Sequence, residues 1–234
     1  MGMNDEIGKY FSRMFHQQNI FVEIVRVIDG TKPSKANLED YDGILMSGSS
    51  FMVTDQHPWS VDTGNMIKPI VERGLTPILG VCYGHQLISH TLGGNVEYAA
   101  IRQIGSKSCV LTPEARTDRL FSVFDKTDLV VHVLHRQVVT AIPPAACIMA
   151  YNDIDPFHAL KLGPRCWSVQ FHPELKETNL RTIVEFNKDM LPKDGLNYDT
   201  VLASVQKTRD GEMILRRFAE ICIERNQERK RSFL

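Results

Sequence analysis

Cysteine is scarce in this chain and is not arranged for a structural purpose. The 234 residues include five cysteines, an odd number, and no two of them form a C-x-x-C pair. This scatter argues against a disulfide framework and against a zinc site, so no metal is predicted. Free thiols are typical of a reducing compartment, and the polar residues 1–10 lack the apolar core of a signal peptide, so we predict the cytoplasm. The five cysteines are Cys82, Cys109, Cys147, Cys166 and Cys222.

An excess of one charge and a long apolar run are also missing. The chain carries 27 basic and 28 acidic residues, a formal net charge of −1, which leaves no long-range field to attract nucleic acid or an anionic membrane. No apolar run approaches the roughly 18 residues that a membrane span needs. The sequence contains no G-x-x-x-x-G-K-[ST] phosphate loop. We therefore predict neither nucleic acid nor a membrane as a partner, and no cofactor.

Short apolar segments alternate with helical patterns along the first half of the chain. Residues 21–28 alternate as a strand does, and residues 43–46 and 77–81 are apolar runs typical of buried strands. Residues 62–73 have helical spacing, and residues 84–92 have the pattern of a helix that two glycines close. Such alternation predicts an α/β layered domain with a parallel sheet.

The second half of the chain has a different pattern. From about residue 96, strand-like segments are joined by turns rich in Pro, Asp and Gly, which predicts antiparallel strands added to the edge of the sheet. A last amphipathic helix is predicted over residues 200–224.

The sharpest local pattern is a cysteine between two glycines, where a buried strand meets a helix. Gly80, Cys82 and Gly84 have the spacing of a nucleophile elbow, a tight and strained turn in which bulky neighbours would collide. The helix N-terminus favours a thiolate, and the N–H of Tyr83 is placed to donate to an oxyanion. The alternative is a buried structural cysteine, which most free cysteines are.

A histidine and a carboxylate stand two residues apart after another strand-like run. His172 and Glu174 follow the apolar residues 167–170, at the C-terminal end of a strand, where α/β sheets place their reacting groups. Glu174 is placed to orient the imidazole and to stabilise its charged form. The H-x-E pattern alone is weak evidence, but together with Cys82 it predicts a Cys–His–Glu relay.

Two motifs, in this order, resemble those of the class I glutamine amidotransferases. They are G-V-C-Y-G-H-Q at residues 80–86 and F-H-P-E at residues 171–174. The resemblance covers about residues 10–186 and includes Y-D-G at residues 41–43 and S-G-S at residues 47–49. It implies a three-layer flavodoxin-like α/β fold, with a mostly parallel central sheet, helices on both faces and a small antiparallel extension.

The resemblance also implies roles for single residues. Cys82 would attack the side-chain amide of glutamine, and His172 and Glu174 would complete the triad that yields a γ-glutamyl thioester and ammonia. Gly48 would complete the oxyanion hole together with Tyr83. The residues implied to hold the substrate are Gln86, His135 and Gln137.

The chain departs from the family pattern at two places. The family usually has Gly-Gly-Pro where this chain has S-G-S at residues 47–49, and it opens with an apolar strand before its first helix. Residues 1–4 leave no room for such a strand, and residues 7–16 already have the pattern of that helix. We predict an amidotransferase domain over residues 1–190, with a C-terminal turn and helix over residues 191–234 packed on it.

Several functions remain open from the sequence. The substrate is free glutamine, with ammonia released or passed to a separate synthetase chain as in GMP synthetase, or it is a γ-glutamyl peptide or amine. The second choice is kept because residues 27–30 and 41–49 also look similar to the plant γ-glutamyl peptidases. A non-catalytic regulatory subunit with the same fold is a third interpretation, against which the intact Cys82, His172 and Glu174 argue. A homo-oligomer is also possible.

Overall fold

A computed structural model of the chain describes residues 3–232, which form seven strands and six α-helices. The strands are β1 (Ile44–Met46), β2 (Ile78–Val81), β3 (Asn95–Leu111), β4 (Asp128–Ala141), β5 (Cys147–Tyr151), β6 (Ala159–Gly163) and β7 (Cys166–Val169). The helices are α1 (Met3–His16), α2 (Pro58–Arg73), α3 (Tyr83–Thr91), α4 (Glu177–Phe186), α5 (Tyr198–Ser204) and α6 (Asp210–Ser232).

All seven strands belong to one sheet, in the order β1-β2-β7-β6-β5-β3-β4. The neighbours β1, β2 and β7 are parallel, and the remaining neighbours pair in the antiparallel sense. The α/β class is confirmed, and the antiparallel part of the sheet is larger than the small extension that was expected. The size comes from β3 and β4, which are 17 and 14 residues long and pair along most of their length.

Helices cover both faces of the sheet. Successive side chains of a strand point to opposite sides, and apolar side chains on both sides of β2 pack against helices. Ile78 of β2 belongs to an apolar cluster with α2 residues such as Ile67. Its neighbour Leu79 belongs to a second cluster, which includes Phe11 of α1 and Phe218 of α6. The parallel strands are therefore buried on both sides, and their carboxyl ends lie together at one edge of a three-layer structure.

The strand predicted over residues 21–28 is wrong. Residues 20–26 are irregular, and residues 27–29 form a short 3₁₀ helix. Alternating apolar and polar residues suit a strand, but a strand also needs a neighbouring strand for its backbone hydrogen bonds. Among residues 3–232, β1 pairs only with β2, so the segment does not join the sheet beside it. Phe21 is consequently 94% exposed, and the segment is held by Glu23, which accepts hydrogen bonds from Ser34 and from the Tyr41 hydroxyl.

The helix predicted over residues 200–224 is divided in two. The chain leaves α5 at Ser204, and α6 begins at Asp210, whose N–H donates to the Thr208 hydroxyl at 3.1 Å. That hydroxyl in turn donates to the Val130 carbonyl at 2.7 Å, so the break between the helices is tied to β4. The apolar side of α6 packs in the same cluster as α1, while the boundary at residue 190 remains a prediction. None of the helices in residues 3–232 is long and apolar enough to cross a membrane.

Candidate active site

The turn between β2 and α3 has the geometry of a nucleophile elbow. Cys82 is the single residue between these elements, and its φ of 50° and ψ of −99° are rare for a residue other than glycine. A Cβ on Gly80 would lie 2.8 Å from the Gly84 backbone, and one on Gly84 would lie 2.3 Å from the Met46 carbonyl oxygen. Side chains are therefore excluded at both glycines, as the pattern predicted.

The residues around Cys82 fix the nucleophile and the first turn of α3. Cys82 is 4% exposed, and its Sγ lies 3.7 Å from the Leu134 carbonyl oxygen. The ring of Tyr83 stacks on Trp59 with centroids 5.6 Å apart, and its hydroxyl lies 2.6 Å from Ser60 Oγ. Because its side chain is anchored at both places, Tyr83 holds its backbone N–H in a fixed position at the helix N-terminus, where such donors lack intrahelical partners.

His172 and Glu174 lie together just beyond the end of β7. His172 Nδ1 is 2.7 Å from Glu174 Oε1, and both side chains are buried. The backbone N–H of His172 also donates to the His132 carbonyl at 2.8 Å, which anchors the segment on β4. Burial alone would lower the pKa of His172, but the negative charges of Glu174 and of a Cys82 thiolate raise it well above its ordinary value. The surroundings therefore favour an imidazolium ion next to the nucleophile.

The loop that follows β1 reaches both Cys82 and His172. A Cβ on Gly48 would lie 2.8 Å from His172 Cε1 and 3.5 Å from Cys82 Cβ, so only glycine fits there without displacing the imidazole. These groups follow the ends of β1, β2 and β7, three neighbouring parallel strands, at the edge where α/β sheets bind ligands. The structure thus brings the residues of the predicted triad together with Gly48 and Tyr83, and the roles assigned to them remain predictions.

The predicted substrate-binding residues belong to a buried hydrogen-bonded cluster. Gln86 Nε2 donates to the Gln137 carbonyl at 2.7 Å and to Gln170 Oε1 at 3.0 Å, so both hydrogens of its amide are used within the protein. His135 Nδ1 lies 3.1 Å from the same Gln137 carbonyl. The side chain of Gln137 accepts from one residue of the segment 53–54 and donates to the other, which ties that segment to β4. Direct contacts of these side chains with a substrate remain predictions.

Two groups of this site were missed by the sequence analysis. Gln170 holds the Gln86 amide from the end of β7, and the Leu134 carbonyl faces Cys82. A polar residue that ends an apolar strand, two positions before His172, is the signal by which Gln170 could have been found. The Leu134 group belongs to the backbone, which has no sequence signature.

Two buried histidines beside the elbow should make the fold sensitive to acid. Burial lowers the pKa of His85 to about 4 and that of His135 to about 3, whereas an unfolded histidine titrates at about pH 6.5. Between about pH 5.5 and about pH 4.5 the unfolded chain therefore binds more protons, and stability falls as the pH falls. We expect these two residues to contribute a slope of up to about 3 kcal/mol per pH unit, which urea unfolding across this window measures.

The variant His85→Gln is the control for this slope. It removes one of the two histidines and keeps a side chain that can bond Ser168, whose Oγ lies 2.8 Å from His85 Nδ1. The slope of its unfolding free energy against pH should be smaller by about 1.4 kcal/mol per pH unit, which corresponds to one proton. His172 does not offset the effect, because its raised pKa leaves it protonated in the folded and unfolded states throughout this window. An unfolding free energy that does not change between these pH values would contradict the prediction.

The sequence matches a known family over most of its length. The family model described as "Glutamine amidotransferase class-I" matches residues 3–190. GMP synthase (glutamine-hydrolyzing) of Bacteroides fragilis is 37% identical over 139 residues, which are 58% of this chain and 25% of that protein. GMP synthase (glutamine-hydrolyzing) of Clostridium kluyveri is 30% identical over 187 residues, which are 80% of this chain and 33% of that protein. The chain thus spans only a quarter to a third of the length of these relatives.

Solved structures share the fold along nearly the whole chain. A glutamine amidotransferase from Thermotoga maritima superposes with a TM-score of 0.71 at 18% identity, over 92% of this chain and 90% of that one. A Thermoplasma acidophilum protein described as a GMP synthase subunit superposes with a TM-score of 0.65 at 19% identity, over 94% of this chain and 90% of that one. At such low identities the similarity is evidence for the fold alone.

Proposed function

Because this chain belongs to the class I glutamine amidotransferase family, we propose that it hydrolyses the side-chain amide of glutamine through a thioester on Cys82. The observation that carries the proposal is the packing of Gly48 against both Cys82 and His172, beside the 2.7 Å contact between His172 and Glu174. A nucleophile, a base and a backbone N–H are thereby within reach of one bound carbonyl group, the arrangement that acyl transfer requires.

The first half of the proposed reaction forms the thioester. The Cys82 thiolate attacks the γ-carbonyl carbon of glutamine, and the N–H groups of Gly48 and Tyr83 stabilise the oxyanion that develops. His172 donates a proton to the amide nitrogen, so that the carbon–nitrogen bond breaks and ammonia leaves. Glu174 Oε1 accepts a hydrogen bond from Nδ1–H of His172, which leaves the other ring nitrogen for proton transfer and stabilises the charged ring before that transfer.

The second half of the reaction releases glutamate. After ammonia has left, His172 is neutral and takes a proton from a water molecule, which attacks the thioester carbonyl. The bond between carbon and Sγ breaks, glutamate leaves, and Cys82 and His172 return to the thiolate and imidazolium forms. The same two N–H groups stabilise the second oxyanion, so no further residue is needed to complete the cycle.

We further propose that the ammonia passes to a separate synthetase chain. The relatives named GMP synthase are three to four times as long as the segment that this chain matches, and the sequence has no phosphate-loop motif of its own. A synthetase on a separate chain would supply the part of those relatives that this chain does not match. Glutamine hydrolysis by the isolated chain is then expected to be slow until the partner binds.

The substrate is tested by measuring glutamate and ammonia released from glutamine and from a panel of γ-glutamyl dipeptides. We expect glutamine to give equal amounts of both products, with a kcat/KM at least about tenfold above that for any dipeptide, because the family match and the relatives named glutamine-hydrolyzing favour glutamine as the substrate. A preference for the dipeptides would replace this proposal by a γ-glutamyl peptidase. No turnover, together with no labelling of Cys82 by a diazoketone analogue of glutamine, would overturn both.

A further inference from the structure

A small cavity lies beside the His172–Glu174 pair, between the first residues of β4, the segment 172–176 and residues of α1 and α6. Its volume is about 30 Å³, enough for a water molecule. Glu174 and His132 both line it, and so do apolar groups such as Met14 and Val131. The cavity therefore lies between Glu174, the carboxylate proposed to orient His172, and His132, which has no role in the proposed reaction.

Two buried polar atoms of these residues lack a partner. Glu174 is 5% exposed and His132 is 3% exposed. Glu174 Oε2 and His132 Nε2 have no hydrogen-bond partner among residues 3–232, although Glu174 Oε1 and His132 Nδ1 each have one. An unpaired buried carboxylate oxygen costs free energy, so a donor is expected to reach it.

The hydrogen bonds of Ser106 are compatible with a proton on Nε2 of His132. Ser106 Oγ accepts from the backbone N–H of Gln206 at 3.1 Å and lies 3.0 Å from His132 Nδ1. With that donor already present, the hydroxyl hydrogen of Ser106 is free to point at Nδ1, which then acts as an acceptor. In that arrangement the neutral imidazole of His132 carries its hydrogen on Nε2, and burial favours the neutral form because it lowers the pKa of His132.

We propose that a water molecule in this cavity bridges His132 Nε2–H and Glu174 Oε2, which makes His132 a positioning residue for the triad carboxylate. The inference rests on the proposed function, because it assigns His132 an effect on the same reaction. One water with these two partners satisfies both unpaired atoms and fixes the carboxylate at both oxygens. A residue that positions a reacting group without touching the substrate can matter for the rate, because a 1 Å misplacement can cost up to about 100-fold.

The bridge should act on the rate and on the titration of His172, and not on substrate binding. With Oε2 held by a donor, Glu174 keeps Oε1 directed at His172 Nδ1, which supports the raised pKa of His172. Neither Gly48 nor Cys82 lines the cavity, so a substrate bound between them should not contact His132. The titratable groups that face this region are Cys82, His132, His172, Glu174, Lys176, Glu177 and Glu212.

The test compares His132→Phe, which removes the donor, with His132→Gln, which keeps an amide donor for the water. We expect kcat for glutamine hydrolysis to fall about tenfold in His132→Phe with KM changed less than about twofold, and to recover to within about threefold of wild type in His132→Gln. Ser106→Ala removes the hydroxyl that bonds Nδ1, so the proton of His132 can occupy either ring nitrogen. The loss of kcat in this variant should lie between those of the Phe and Gln variants. Met14→Leu is the matched control, because Met14 lines the same cavity without a polar hydrogen atom and should leave kcat unchanged.

A second measurement does not depend on turnover. The His172 ring is followed by NMR in a Cys82→Ala background with histidine labelled at Cε1, and its titration midpoint should move to lower pH when His132→Phe is added. An unchanged midpoint and unchanged kcat in His132→Phe would overturn the inference, as would equal losses in the Phe and Gln variants. If wild type hydrolyses no glutamine while the His172 midpoint still moves, the proposed function fails and the bridge stands.

Discussion

Replacing Cys82 with alanine should lower the rate of glutamate release from glutamine by at least about 10³-fold. The proposed thioester cannot form without the sulfur, and in the proposed reaction His172 and Glu174 only transfer a proton and orient the ring. What remains is the contribution of the oxyanion donors and of substrate binding, which is small without a nucleophile. Single-turnover assays with labelled glutamine measure the loss directly.

The other cysteines supply the comparison for this result. Burial raises the pKa of Cys109 and of Cys222 to about 12, so neither forms a thiolate near neutral pH. A glutamine-mimicking alkylating agent should therefore modify Cys82 and leave Cys109 and Cys222 unmodified, as peptide mass spectrometry would show. Cys147→Ser removes a partly exposed thiol far along the sheet on β5 and should keep wild-type activity. Activity that survives in Cys82→Ala would remove the basis of the proposed mechanism.

Replacing Gly84 with alanine should destabilise the protein by about 3 kcal/mol or more. In most helices the change from glycine to alanine is stabilising by about 1 kcal/mol, but here the new Cβ would lie 2.3 Å from the Met46 carbonyl oxygen and 2.8 Å from Met46 Cβ. Backbone atoms of β1 cannot turn aside as a side chain does, so α3 and β1 must separate, with a loss of packing. The free energy of unfolding in urea measures the change.

Gly64→Ala is the matched variant for Gly84→Ala. Gly64 is also a buried helical glycine, but the atom nearest to its added Cβ is the Thr91 hydroxyl, at 2.4 Å, and that hydroxyl can rotate away. The gain from helix propensity should offset most of this rearrangement, and stability should change by less than about 1 kcal/mol. Equal losses in the two variants would mean that the contact with the β1 backbone is not the cause.

The residues of the candidate site could be predicted because their constraints are local in the chain. The glycine spacing around Cys82 follows from the sterics of one turn, and the structure has those contacts at both glycines. His172 and Glu174 are two positions apart, so their meeting at 2.7 Å requires only a strand end that turns. Ser47 to Ser49 follow a strand, and the parallel order of β1 and β2 brings that loop to the elbow.

The parts that could not be predicted depend on partners far away in the chain. Whether residues 21–28 form a strand is decided by the presence of a neighbouring edge, and no periodicity encodes that edge. The ties from Gln137 to residues 53–54 and from Ser106 to His132 join elements whose register appears only once the long β3–β4 pair has formed. The break after Ser204 likewise depends on Thr208 finding a carbonyl on β4.

The backbone of Cys82 also has a consequence for how this chain can evolve. Its φ of 50° is one that glycine adopts at no cost and that other residues adopt at a cost of about 1–3 kcal/mol, so a sequence selected for stability alone would place glycine there. The chain therefore has a residue with an unfavourable backbone conformation at its tightest turn, and this residue places a thiol at the carboxyl end of the parallel strands. If selection for activity is relaxed, this cysteine should be lost before the glycines beside it. The glycines are needed for the packing of the turn, whereas the cysteine destabilises it.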